Sequence, residues 1–200
     1  SQRLILMVLG ALRTKIAASL LGPAGIGLLA QATALRDVLA ALSTLGTRSG
    51  YVKLAAEAWG SGDREHFQRV FATTLTLATV LALTIAGATI LGATSIAVQV
   101  FGDAKFFPLV IVSAVTVALM VPARLMARTF TAILDYRTFF RIAVVEGVVS
   151  VVAMSLLILW LGILGAVASF LVIELVVLVL SAWFLWRKLA IVPRPQRPDP

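Results

Sequence analysis

The sequence has no cysteine and a single histidine, His66. The first absence removes disulfides and any Cys-ligated metal, and the second leaves no second imidazole at ligand spacing, so His66 reads as a solvated loop residue. Charge is scarce as well. Only 13% of the 200 residues are Asp, Glu, Lys or Arg, 60% are hydrophobic, and the mean hydropathy is +1.04. So little polar surface cannot cover a domain that folds in water. Catalytic signatures are missing too: there is no H-E-x-x-H, no G-x-S-x-G and no P-loop. Gly22-x-x-Gly25-x-Gly27 lacks the G-x-G-x-x-G order and reads as a turn opening a helix. A soluble enzyme is excluded on these grounds. No nucleophile, metal set or spaced acid–base pair points to an intramembrane one, and no cofactor or metal is expected. The amino terminus, Ser1, carries no signal peptide with a small-residue cleavage site. A processed start and a piece of a longer protein are the two expectations there.

What is present is a series of long apolar runs. Positions 142 to 161 and 163 to 186 are interrupted only by Glu146 and Glu174, and a spanning helix needs about 20 such residues. Hydropathy predicts an all-α integral membrane bundle of six transmembrane helices: 4–21, 26–46 running on towards Trp59, 70–91 with an extension beyond it as an option, 108–126, 142–161 and 163–186. Turns by composition fall at Gly22-Pro23-Ala24-Gly25, at Gly102-Asp103-Ala104-Lys105, and at Gly162 between the last two helices. Residues 1–192 form one transmembrane lobe. The proline-rich 193–200 cannot be helical and reads as a disordered cytoplasmic tail.

The formal net charge of +8 is a topology signal first, and no nucleic-acid partner is expected. Basic residues cluster in alternate connections, at Arg64 and Arg69, at Arg128, Arg137 and Arg141, and at Arg187, Lys188, Arg194 and Arg197. The glycine turns hold one, Lys105. The positive-inside rule then puts both termini in the cytoplasm. Trp160, Trp183 and Trp186 fall near helix ends, where indoles prefer the headgroup layer.

Other charges lie where a bilayer disfavours them. At about 1.5 Å per residue, Arg13 is roughly 15 Å from the start of its helix, near the midplane with Lys15. Arg36 and Asp37 are similarly deep in the second helix, and Glu174 is eleven residues into the sixth. Each central charge costs about 2.5 to 3.5 kcal/mol to insert unless it is paired or faces a water-filled cavity. Such a cavity is expected, with a net basic wall and an anionic ligand. Arg124 and Arg128, spaced i,i+4 after Pro122, and Arg48 at a matching level extend a basic path towards the cytoplasmic mouth. The plainer reading makes the midplane charges internal salt bridges, Arg36 or Lys15 with Glu174, and makes Arg48, Lys53, Glu57, Arg124 and Arg128 positive-inside anchors. Glu146 is expected to pair with Arg141 or another mouth cation.

The stretch Leu21-Gly22-Pro23-Ala24-Gly25-Ile26-Gly27-Leu28-Leu29-Ala30-Gln31, with Gly50-Tyr51-Val52-Lys53-Leu54-Ala55-Ala56-Glu57 after it, resembles the first two helices of bacterial polysaccharide or O-antigen lipid flippases. Those belong to the multidrug/oligosaccharidyl-lipid/polysaccharide exporter superfamily. Leu161-Gly162-Ile163-Leu164-Gly165-Ala166 is similar to the turn that family uses before its sixth helix. The resemblance implies translocation of undecaprenyl-pyrophosphate-linked sugars across the bacterial inner membrane by alternating access between two six-helix lobes. It implies that Arg13 or Lys15 and Arg36 contact pyrophosphate or acidic sugars, and that Asp37 or Glu174 couples an ion or proton. The family uses twelve or more helices, so six correspond to its amino-terminal lobe. The second lobe would be a downstream segment or, second in order, another copy of this chain. Membrane lipids and a lipid-linked anionic glycan are the expected partners. A drug or cation antiporter of the same superfamily and a non-transporting scaffold for glycan assembly remain the alternatives.

Overall fold

A computed structural model describes residues 2–44 and 47–191, with no side-chain placement for residues 2–3, 47–49 and 189–191. The tail expected to be disordered, with Arg194 and Arg197, therefore lies outside the described residues, and so does the side chain of Arg48. The described chain is helical with no strand: α1 (Gln2–Thr44), α2 (Thr47–Gly60), α3 (Arg64–Leu91), α4 (Ala93–Phe101), a 3-10 turn (Ala104–Phe106), α5 (Phe107–Ala132), α6 (Tyr136–Leu161) and α7 (Ile163–Ile191). Five of these, α1, α3, α5, α6 and α7, contain segments long and apolar enough to cross a membrane. Helices satisfy every backbone donor and acceptor within themselves, which is what a hydrocarbon slab demands.

The count differs from the expected six because α1 carries both arms of the first hairpin. Gly22 leaves the helical region at φ 66° and ψ −177°, and Pro23 follows it. A positive φ suits glycine, and proline supplies no backbone donor, so the ladder is interrupted there. The arms then fold back on each other. Arg13 and Arg36, 23 positions apart, both lie over the ring of Phe170, and Ala17 of one arm joins a core with Ile26 and Leu29 of the other. A straight helix would hold Arg13 and Arg36 about 35 Å apart.

Two segments expected as extensions of longer helices are helices in their own right. The extension expected to run on towards Trp59 is a separate helix, α2, and a short α4 follows α3 across Gly92. Gly102 closes α4 in the left-handed conformation, and the Asp103 carboxylate accepts from the backbone N–H of Lys105. Polar caps lengthen the ends that hydropathy cut short. The Asp63 carboxylate accepts from His66 N and starts α3 at Arg64, and Asp135 accepts from Thr138 N and starts α6 at Tyr136.

α5 is the most buried of the five and packs against α1, α3, α6 and α7. Small residues let backbones approach where no hydrophobic effect drives helices together. Ala114, Ala123 and Thr116 of α5, Ala82 of α3 and Ala166 and Ser169 of α7 are fully buried. Large apolar side chains point the other way: Met7 and Val8 on α1, Leu77 and Val80 on α3, and Leu156, Leu159 and Trp160 on α6 are exposed. An apolar exterior over a small-residue interior is the inverse of a soluble bundle and suits lipid as solvent.

The two ends differ in chemistry. Around the glycine turns, Ala32, Phe101, Leu109, Val110 and Val167 form an apolar cluster. The other end, here the basic end, holds Tyr51, Ala55, Phe67, Leu125 and Ala132. There Tyr51 Oη hydrogen-bonds Thr129 Oγ1 at 2.6 Å, and burial pushes the phenol up to about 12, with the Thr129 bond partly offsetting it. Arg64 stacks 3.6 Å over Trp59, and Arg187 4.1 Å over Trp183. Lys188 reaches Asp135 in an ion pair that ties the end of α7 to the α5–α6 turn.

Two tests follow from this packing. A Cβ on Gly165 would meet the carbonyl oxygen of Leu157 at 1.8 Å, where α6 and α7 leave their shared turn, whereas one on Gly87 meets nothing within 4 Å. Gly165→Ala should therefore lower stability in detergent by roughly 1–3 kcal/mol while Gly87→Ala does not, as read by thermal unfolding. Equal melting temperatures would show that the two helices separate at no cost. The Asp135 carboxyl is pushed up by burial, but hydrogen bonds from Lys188 and from the side chain and backbone of Thr138 outweigh this and hold it below the usual range. Its contribution is present above the ordinary carboxyl pKa and is lost as pH falls through the lowered one. Asp135→Asn should cost up to about 1 kcal/mol at pH 7, and this deficit should shrink on acidification towards pH 3; a deficit independent of pH would rule the linkage out.

Candidate functional site

Between the two arms of α1 and helices α5, α6 and α7 lies a cavity of ≈ 670 Å³. Its wall follows helical spacing: Arg36, Ala40 and Thr44 repeat every four residues on the second arm of α1, as do Met120, Arg124 and Arg128 on α5 and Phe170 and Glu174 on α7. Arg13, Asp37 and Glu146 complete the polar wall. Phe170 is eight residues past Gly162, about 12 Å along the helix, and Thr44 ends α1, so the cavity runs from the middle of the bundle towards the basic end.

At its floor a single guanidinium joins three helices. Arg124 Nη1 and Nη2 donate to Glu146 Oε2 and Oε1 at 2.9 and 2.7 Å, a bidentate pair between α5 and α6. Nη2 and Nε also donate to Glu174 Oε1 of α7 at 2.6 and 3.2 Å. Glu174 is 3% exposed, and its Oε2 has no hydrogen-bond partner among the described residues. One cation thus serves two carboxylates, one of them buried and the other half-buried at the cavity wall.

Nearer the α1 hairpin, two guanidiniums share one aromatic ring. The carbons at their centres lie 4.9 Å (Arg13) and 4.3 Å (Arg36) from the centroid of Phe170. A ring face attracts a cation by its quadrupole and needs no counter-charge, so it holds two arginines close without neutralising either. Arg36 also donates through Nε and Nη2 to Asp37 Oδ1 at 3.3 and 3.0 Å. Among the described residues no carboxylate is within salt-bridge distance of Arg13. Four arginines and three carboxylates line the cavity, a formal surplus of one positive charge; the Arg124 cluster takes up both glutamates, so the positive side of the wall is formed by Arg13, Arg36 and Arg128.

The structure thus brings together Arg13, Arg36, Arg124, Arg128, Asp37 and Glu174 from the sequence-predicted set. Lys15 is not among them: two residues past Arg13 is about 200° around a helix, and Lys15 is exposed outside the cavity. Glu174 pairs with Arg124 where the plainer reading expects Arg36 or Lys15, and Glu146 pairs with Arg124, one of the cations expected towards the mouth, rather than with Arg141. Arg124 is the centre of an ion cluster that joins α5, α6 and α7, with Glu174 buried and Arg124 and Glu146 half-buried beside the cavity. Phe170 went unnoticed, and a phenylalanine in an apolar helix carries no sequence signal that could have singled it out. Among the described residues no group of three or more His, Cys, Asp or Glu side chains is placed to hold a metal ion. Comparison with protein-family models, with curated proteins and with solved structures finds no match to this chain.

Removing Arg124 alone would strand two carboxylates in the bundle. Arg124→Met should destabilise the protein in detergent by on the order of 3 kcal/mol, and adding Glu146→Gln and Glu174→Gln should recover most of that loss. If the triple variant unfolds no later than the single one, charge burial is not what Arg124 relieves.

Proposed function

We propose that this chain is one lobe of a transporter that moves a lipid-linked anionic glycan, of the undecaprenyl-pyrophosphate-linked kind, across a bacterial inner membrane by alternating access. The observation that carries this reading is the pair Arg13 and Arg36 over Phe170, an excess of positive charge deep among apolar helices and within reach of a cavity. Intramembrane cations cost several kcal/mol, and a site that keeps them incompletely neutralised fits an anion that completes their coordination. Pyrophosphate and acidic sugars offer several oxygens, which suit the forked geometry of two guanidiniums.

Counted as two crossings, the arms of α1 bring the proposed topology to six, with both termini on the cytoplasmic side by the positive-inside rule. The cavity then opens towards the cytoplasm, where such lipid-linked sugars are made. Its wall comes from one lobe only, and we infer a second lobe, from a downstream segment or a second copy, that closes the far side. Asp37 is 63% exposed and Glu174 keeps a free oxygen, which keeps both as candidates for coupling to an ion.

A drug or cation exporter fits less well, because the carboxylates it would need are outnumbered and two are held by Arg124. The closed Arg124 cluster does favour a structural part for those three residues, as a scaffold reading requires. The test separates them by residue. Arg13→Gln and Arg36→Gln should each weaken binding of a polyprenyl-pyrophosphate-linked oligosaccharide to the detergent-solubilised chain by about tenfold (~1.4 kcal/mol), with Lys15→Gln unchanged. Both should also abolish restoration of surface glycan in a flippase-deficient bacterium supplied with a second lobe. Silent substitutions at both arginines would leave the scaffold reading.

A further inference from the structure

A second concavity, ≈ 570 Å³, lies where the last turn of α1 meets α2 and α3. No charged side chain lines it. Tyr51 and Leu54 from α2 and Leu77, Val80 and Leu81 from α3 make its wall, and Leu54, Leu77 and Val80 are 50%, 66% and 57% exposed. Most of its hydroxyls are spent within the protein: Ser43 donates to Leu39 O, Thr44 to Ala40 O and Thr84 to Val80 O, and Tyr51 bonds Thr129, with Thr74 the exception. A polar ligand would find one hydroxyl and no charge to bind there, whereas hydrocarbon would meet a wall that is mostly apolar.

Thr44 belongs to the walls of both the groove and the cationic cavity. Arg36 is eight residues before it on the same face of α1, about 12 Å along the axis. An anion-binding site deep in the bundle thus continues past one side chain into an apolar channel open to the membrane. The charge is confined to one concavity and the hydrocarbon surface to the other, which is the polarity of a single amphipathic molecule.

We infer that the groove holds a segment of the hydrocarbon chain of the molecule whose anionic head Arg13 and Arg36 bind, with Thr44 where the chain passes from cavity to groove. This rests on the anion-binding reading of the cavity. The groove volume is that of a drug-sized apolar group, so it accommodates part of a long chain and the remainder runs in lipid. An ordinary phospholipid chain entering from the bilayer needs no head in the cavity, and its presence should be indifferent to the arginines.

That difference supplies the experiment. The full chain is reconstituted in phosphatidylcholine nanodiscs with photoreactive benzoylphenylalanine in place of Leu77 in the groove or, as a lipid-facing reference, of Leu159 on α6, and is exposed to a tritiated long-chain polyprenyl pyrophosphate. Labelling at position 77 should exceed that at 159 by at least about fivefold. It should fall about tenfold with Arg13→Gln and Arg36→Gln together, and return in part with Arg13→Lys and Arg36→Lys, which keep the charge but not the fork. Tritiated neutral polyprenol should label both positions equally. Arginine-dependent retention of the probe with equal labelling at 77 and 159 would overturn the groove while leaving the cavity standing. Preferential labelling at 77 that ignores the arginines would assign the groove to any membrane chain and overturn the proposal, and so would a chain-to-chain crosslink from 77. Absence of arginine-dependent retention would instead defeat the cavity reading on which it rests.

Discussion

Arg124 holds carboxylates from two other helices on one planar cation, and the arrangement of α5, α6 and α7 depends on it. In water such a cluster would be worth little, because solvent competes for every hydrogen bond. In a membrane the comparison is with an unpaired charge in hydrocarbon, so the cluster acts mainly as a constraint. Any packing of these helices that leaves Glu146 or Glu174 away from Arg124 is disfavoured by several kcal/mol. Small residues such as Ala123 and Ala166 set how closely the helices approach, and the ion cluster selects which faces meet.

The same constraint shapes the cavity. Because Arg124 engages both glutamates, Arg13 and Arg36 are left to Phe170 and Asp37. An aromatic face stabilises a guanidinium without cancelling its field, so the positive potential remains available on the cavity side. The α1 hairpin is what brings the two together. Without the break at Gly22, Arg13 and Arg36 would lie on opposite ends of one rod. The consequence of a left-handed glycine followed by proline is therefore electrostatic as well as topological.

Much of the helical plan was legible in the residues. Length and hydropathy placed the long helices, and glycine with proline or aspartate marked the turns at Gly22, Gly102 and Gly162, because backbone conformation there is decided by two or three local residues. Helix ends were less legible. Hydropathy stops where polarity begins, yet α3 and α6 start earlier, at the caps of Asp63 and Asp135, whose carboxylates satisfy backbone donors outside the apolar run. Hydropathy does not separate α2 and α4 from the helices before them: α2 is too polar to register as a run, and α4, though apolar, is only nine residues long and follows α3 directly across Gly92.

That this chain is helical and suited to a membrane follows from the order of its residues, since apolar runs of 20 or more have no other way to satisfy their backbone in lipid. That order also marked which charges were out of place, because burial in an apolar run is a one-dimensional fact. Which of those charges meet was decided by tertiary structure alone. Pairing is set by rotation about helix axes and by which helices are neighbours: Lys15 turns away from the cavity that Arg13 lines, two residues earlier, and Arg124 centres a cluster with carboxylates of two other helices. A partner 50 positions distant, as Glu174 is from Arg124, exists only once the helices have packed.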